Sequence, residues 1–127
     1  MTEAANITTL EIKRSAVSDQ QIAELDTPSH FASFAEFYPF YLSQHQNKTC
    51  RRLHFVGSTL GLVGVTASII TGKKRYIAAG IVAGYGCAWV GHFFFEKNKP
   101  ATFKYPLYSF MGDWLMYKDI VTGKIEL

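Results

Sequence analysis

Polar residues dominate the first thirty positions, whereas positions 53–95 carry charge only in one short basic cluster. Two apolar segments fill that stretch, Leu53–Thr71 and Tyr76–Phe95, separated by the tetrapeptide GKKR. Wound as helices, segments of about 19 or 20 residues reach roughly 30 Å at 1.5 Å per residue, enough to cross the hydrocarbon core of a bilayer. The connection is so short that the two helices are expected to be antiparallel neighbours. A buried core hairpin in a small soluble bundle is the competing arrangement, and segments of this length favour the membrane.

Shorter helical patterns flank the pair. At DTPSHF, Asp26 or Thr27 is placed to cap a helix and Pro28 suits its first position, where a missing N–H costs nothing. From there Phe31, Phe34, Tyr38, Tyr41 and His45 follow one another at helical spacing and form a single face. Pro39 is expected to kink this helix, and the central Glu36 makes it an interfacial amphipathic helix rather than a span. Beyond the second span the chain breaks at Pro100 and Pro106 and resumes with Leu107, Phe110, Met111, Trp114 and Leu115 along one side, a second interfacial helix. Asp113 is the one acid embedded in that stripe; it is placed either to face the site or to be solvated, and the solvated position is the expected one. The pattern therefore predicts an all-α fold over residues 27–127, a membrane hairpin of two transmembrane helices flanked by amphipathic interfacial helices. Residues 1–26, with Glu3, Glu11, Asp19, Glu24 and Asp26, have no apolar core of signal-peptide length and are expected as a flexible polar arm. Within it only NITTLEI alternates as a strand would.

Composition sharpens this picture. In a chain of 127 residues, 48% hydrophobic and 15% aromatic content is high for one small domain. The net charge of +3 comes from basic residues gathered around the apolar runs, which suits lipid head groups and argues against a nucleic-acid partner. Lys48, Arg51, Arg52, Lys97, Lys99 and Lys104 flank the outer ends of the hairpin against Lys73, Lys74 and Arg75 in its loop, which places both termini in the cytoplasm. Cys50 and Cys87 form no CxxC pair and read as buried or free thiols. Trp89, Phe93, Phe94, Phe95, Tyr105, Tyr108 and Trp114 read as an interfacial belt.

The hairpin brings chemistry together. If it turns near position 73, residues whose numbers sum to about 147 stand at one level, so His54 lies opposite position 93 and one residue from His92. His54, Gly57, Gly61 and Gly64 share a face of the first span, and Gly80, Gly84, Ala88, His92 and Glu96 share one of the second. Small residues let the backbones approach, and the seam ends at the histidines, with His45 able to fold back beside them. Three imidazoles and a carboxylate then converge near the cytoplasmic interface. Ionisable groups at membrane depth point to function, here a metal site. The competing reading makes the histidines hydrogen-bonding residues of the interface, which suits His30. Glu96 either ligates or pairs with Arg51 or Arg52.

The run His45-x-Asn47 followed after six residues by His54, and later Gly91-His92-x-x-Phe95-Glu96-Lys97 with Pro100-Ala101, resembles the membrane-embedded 2-hydroxy fatty acid dioxygenases of fatty acid α-oxidation. The likeness covers about positions 30–120. It implies a non-haem iron(II) enzyme that uses O2, without 2-oxoglutarate, to shorten a 2-hydroxy fatty acid by one carbon. His45, His54 and His92 correspond to the family's histidines, with Asn47 and Glu96 as its accompanying polar residues. On that resemblance His45, His54, His92 and Glu96 form the metal and catalytic set. Arg51, Arg52 and Asn47 then receive the substrate, the arginine fork matching its carboxylate. The expected setting is a bacterial inner membrane or the endoplasmic reticulum, with lipid, O2 and the hydroxy acid as partners and a homo-oligomer compatible with the arrangement. The chain departs from the family at Lys48 and Cys50, where Pro and Asn are expected, and at Lys104-Tyr105, where Asp-Asn is. It also has a single hairpin where the longer eukaryotic enzymes have further hydrophobic segments. Two rival readings are haem held between His54 and His92 for electron transfer, and a scaffold whose histidines only hold the hairpin together.

Overall fold

The computed structural model describes residues 30–127, of which Ala32–Leu127 form one compact unit. The expected polar arm, the NITTLEI strand and the cap at Asp26–Pro28 lie outside the described residues. Regular structure among the described residues is entirely helical: α1 (Phe34–Ser43), α2 (Lys48–Thr71), α3 (Arg75–Val90) running on into a π-helical turn (Gly91–Glu96), a 3₁₀ turn (Ala101–Phe103) and α4 (Pro106–Val121).

Local sequence explains where each helix starts. Helix α1 begins at Phe34 because Ser33 and Glu36 form a capping box: the Ser33 hydroxyl accepts from Glu36 N at 3.3 Å, and the Glu36 carboxylate accepts from Ala32 N at 3.1 Å. Glu36 thus caps the helix instead of marking a polar face. Helix α2 starts before the apolar segment, since the Asn47 side chain accepts from Thr49 N at 2.9 Å and Cys50 N at 3.1 Å. It ends at Gly72, whose φ of 70° suits the left-handed cap and whose N–H donates to Ser68 O at 2.8 Å.

Helices α2 and α3, the latter counted through Glu96, are long and apolar enough to cross a bilayer, with mean hydropathies of 1.7 and 1.4. Only 22% and 17% of these windows are buried, where a core pair of a soluble bundle would bury most of its surface. Ile69 and Ile70, each 78% exposed, and Val82, 73% exposed, typify the outward face.

The two helices meet along the expected glycines. A Cβ at Gly57 would stand 2.9 Å from Gly84 O, one at Gly64 2.4 Å from Tyr76 O, and one at Gly80 3.2 Å from the Gly61 Cα. The register differs from expectation. Gly57 faces Gly84, not Val90, a slip of about six residues or roughly 9 Å at 1.5 Å per residue. Helix α2 runs past the level at which α3 begins, and the left-handed Gly72 folds the chain back.

Helix α4 turns its apolar stripe away from the protein, as an interfacial helix does. Leu107, Phe110 and Met111 of its apolar stripe are exposed, while Ser109, Gly112, Met116 and Asp119 are buried against the protein. This orientation fits a helix whose outer surroundings are apolar and whose small face allows close packing. The ring of Tyr41 lies where a Gly112 side chain would begin, and the Tyr38 hydroxyl donates to Asp119 Oδ2 at 2.7 Å, joining α1 to α4. The Tyr117 ring stacks on Phe55 at 4.7 Å, joining α4 to α2.

Candidate metal centre

Three helices and one loop each deliver a polar side chain to the end of the seam away from the Gly72 turn. His45 follows the last turn of α1, its N–H donating to Leu42 O at 3.0 Å and its ring stacked on Tyr41 with centroids 4.1 Å apart. His54 lies early in α2 and His92 in the π-helical turn. Both side chains tilt toward the N-terminus of their own helix, which in an antiparallel pair means toward each other, so they meet despite the slipped register. All three are buried, with exposures of 1%, 6% and 2% for His45, His54 and His92.

The rings converge through one kind of atom. Nε2 of His45 stands 3.2 Å from Nε2 of His54, which stands 3.1 Å from Nε2 of His92. Behind them, each Nδ1 faces an oxygen: Tyr41 O at 2.6 Å for His45, Asp113 Oδ1 at 3.3 Å for His54 and Asn98 Oδ1 at 2.7 Å for His92. An Nδ1 next to an acceptor carries the proton of the neutral ring, which leaves the Nε2 lone pairs directed at one another. Such a cluster is repulsive without a shared cation. Two nitrogens that bind one ion at about 2.1 Å and a near-right angle are about 3 Å apart, in line with the spacing seen. The Cys50 thiol adjoins, and ligand atoms of His45, Cys50, His54 and His92 all lie within 4.8 Å of one another. These buried residues could hold a metal ion, and imidazole with a neighbouring thiol suits a divalent first-row metal.

Partners behind the imidazoles fix their orientation, as hydrogen-bonded acceptors do for metal-bound histidines. The Tyr41 hydroxyl donates to Asp113, which also faces His54. Asn98 donates to both Gln44 O at 3.1 Å and Gln44 Oε1 at 3.2 Å, so the loop before α2 positions His92 as well as His45. Burial first, then the two neighbouring imidazoles, holds the His45 pKa well below the usual histidine range, keeping a ring nitrogen free of protons. Burial and the adjacent Asp113 push the Tyr41 phenol well above its ordinary value, so it remains a donor.

A cavity of about 320 Å³ leads away from the cluster. Its head is formed by the three histidines, Tyr41 and Asp113; it follows the glycine seam past Gly57 and Gly61 and ends among Leu62, Val65 and Ile77. From His54 to Val65 this is roughly 16 Å of helix at 1.5 Å per residue. Residues 31–125 match the family described as 2-hydroxy-palmitic acid dioxygenase Mpo1-like. The chain belongs to this family. No curated protein and no solved structure matches it.

Within this member of the family, several expected site residues have other positions. Both Glu96 oxygens accept backbone N–H groups, from Gln46 at 3.0 Å and Asn47 at 2.6 Å, so the carboxylate clasps the loop behind His45 and stands outside the four-residue cluster. Nor does Glu96 pair with Arg51 or Arg52. Arg51 donates to His45 O at 3.1 Å, Gln46 O at 2.8 Å and Glu126 O at 3.3 Å, while Arg52 donates to Leu127 O at 3.4 Å. Neither arginine lines the cavity, nor does Asn47, whose side chain caps α2. Conversely, Asp113 takes the site-facing of its two expected positions and faces His54, and Cys50 joins the histidines. Asp113 is the one charged residue between Pro106 and Tyr117, and that was the available signal for it. Cys50 precedes His54 by one helical turn, a spacing that gains meaning only once Gly91 is seen to admit the thiol, whose Sγ is 3.1 Å from where a Gly91 Cβ would lie.

Proposed function

We propose that this protein is an iron(II)-dependent dioxygenase that removes C1 from 2-hydroxy fatty acids, using O2 without 2-oxoglutarate, as an integral membrane protein with both termini in the cytoplasm. The observation that carries the reading is the meeting of three imidazole lone pairs at the head of an apolar cavity, in a chain of this family. A 2-hydroxy acid R–CH(OH)–COOH and O2 balance to R–COOH, CO2 and water. The C1–C2 bond breaks, and the electrons lost by those two carbons reduce O2 to the level of water.

His45, His54 and His92 would hold the metal through Nε2. Iron(II) bound there would supply open coordination positions and an electron donor for O2 chemistry. Tyr41 O, Asp113 and Asn98 keep the imidazoles in the required tautomer. The glycine seam makes room for an acyl chain and the surrounding apolar side chains exclude water from it. Glu96 and Arg51 hold the loop that carries His45, so they position the site without lining it. The haem alternative fits poorly, because axial ligands on opposite sides of one iron stand about 4 Å apart at bond lengths near 2 Å. Nε2 atoms of His54 and His92 are 3.1 Å apart, and the Gly57–Gly84 contact leaves no slot for a porphyrin.

The test is metal analysis of untagged protein purified without chelator, together with oxygen uptake and product analysis on 2-hydroxypalmitate. Stoichiometric iron and an acid one carbon shorter are expected, with both lost in His92→Ala while helicity persists. Iron retained at the wild-type ratio in His92→Ala would refute the site, and iron-loaded wild type inert toward every 2-hydroxy acid would refute the reaction.

A further inference from the structure

The cavity head poses a problem for an acid. Among the described residues its wall contains the three histidines and Asp113 but neither Lys nor Arg, so none of them brings a side-chain cation to a carboxylate there. Ser109 lines the same cavity and is 3% exposed. Its Oγ is the buried side-chain polar atom without a hydrogen-bond partner among the described residues.

A helical hydroxyl normally bonds back to the carbonyl one turn earlier. Other hydroxyls in this protein do so: Thr59 donates to Phe55 O at 2.8 Å, Thr71 to Ala67 O at 2.6 Å and Thr122 to Lys118 O at 2.9 Å. Ser109 does not, although its own N–H donates to Tyr105 O at 2.9 Å. It stands one turn before Asp113 on the face of α4 packed against the protein, about 5–6 Å from the residue that touches His54. The Tyr41 hydroxyl is committed to Asp113 and the histidine Nδ1 atoms to their own acceptors, which leaves the Ser109 hydroxyl as an uncommitted donor at the cavity head. Buried polar groups are otherwise almost always paired, so one left unpaired on a cavity wall is suited to a ligand.

We propose that Ser109 reads the polar head of the ligand, its hydroxyl donating to a carboxylate oxygen of a fatty acid whose chain lies along the glycine seam. This rests on the reading of the cavity as an acyl site. Ser109 is then the residue that distinguishes an acid from an uncharged lipid of the same length, a role that Arg51 and Arg52, outside the cavity lining, do not fill.

Trp89 and Trp114 line the cavity, so their fluorescence reports occupancy in the detergent-solubilised, metal-loaded protein. The probes are 2-hydroxypalmitate and 2-hexadecanol, which has the hydroxyl and a chain but no carboxylate. Wild type should bind the acid more tightly. Ser109→Ala should weaken acid binding about ten- to a hundredfold, the loss of one hydrogen bond to a charged group, and leave 2-hexadecanol binding unchanged. Its ligand-free melting temperature should not fall, since the deleted hydroxyl had no partner, and Ser109→Gly, also lacking the hydroxyl, should show the same selective loss. Unchanged acid affinity in both variants, or an equal loss for acid and alcohol, overturns the role of Ser109 while the acyl site stands. A wild-type protein that binds neither probe overturns the acyl site and the proposal with it.

Discussion

His92 and Glu96 stand four positions apart yet serve different parts of the structure, so removing them separately tests the division. Loss of His92 removes a converging nitrogen. Loss of Glu96 leaves the N–H groups of Gln46 and Asn47 without an acceptor, at a cost of about 1–3 kcal/mol for a partly buried site. Glu96→Ala should therefore lower the melting temperature yet keep metal at the wild-type ratio, as measured by elemental analysis of folded protein. Metal loss as complete as in His92→Ala would return the carboxylate to the ligand set. Asn98 lies between these cases, since it fixes the His92 ring and ties it to Gln44. Asn98→Ala should weaken metal affinity about ten- to a hundredfold in chelator competition, the usual effect of losing a group that orients a ligand. An unchanged affinity would show that His92 is oriented without it.

At the scale of helices, the seam depends on position more than on glycine content. A methyl at Gly64 would stand 2.4 Å from the backbone oxygen of Tyr76, whereas one at Gly61 meets nothing within 4 Å. Gly64→Ala should destabilise the hairpin by about 1–3 kcal/mol in a chemical denaturation series, and Gly61→Ala should be nearly neutral. Equal effects would mean that the two helices pack on another face. The sequence made both spans legible through their length, and made the glycine faces and the three histidines legible through three- and four-residue spacing. It did not reveal the register, because that depends on how far α2 continues before Gly72 turns the chain. The stripe of Leu107, Phe110 and Met111 was legible as the face an interfacial helix turns away from the protein, and the small or polar Ser109, Gly112 and Asp113 face inward. The backbone partners of Glu96 and Arg51 were not legible, because type and spacing do not show whether a charged group is already satisfied by backbone.

For the molecule as a whole, the basic residues flanking the hairpin predict that its exposed loop lies across the membrane from the termini. In a Lys74→Cys variant with Cys87 replaced, an impermeant thiol reagent should label position 74 only from the non-cytoplasmic side, and labelling from the cytoplasm would reverse the topology. The cluster also joins distant parts of the chain, since His92 follows His54 by 38 positions and most of both spans lies between them. A chain made from its N-terminus offers His45 and His54 well before it offers the third imidazole. Metal capture by all three must wait until the second helix has entered and closed on the first. In the cell, occupancy of the site would therefore count the chains whose hairpin has been assembled correctly, and a chain halted after α2 would remain a poor competitor for the metal pool.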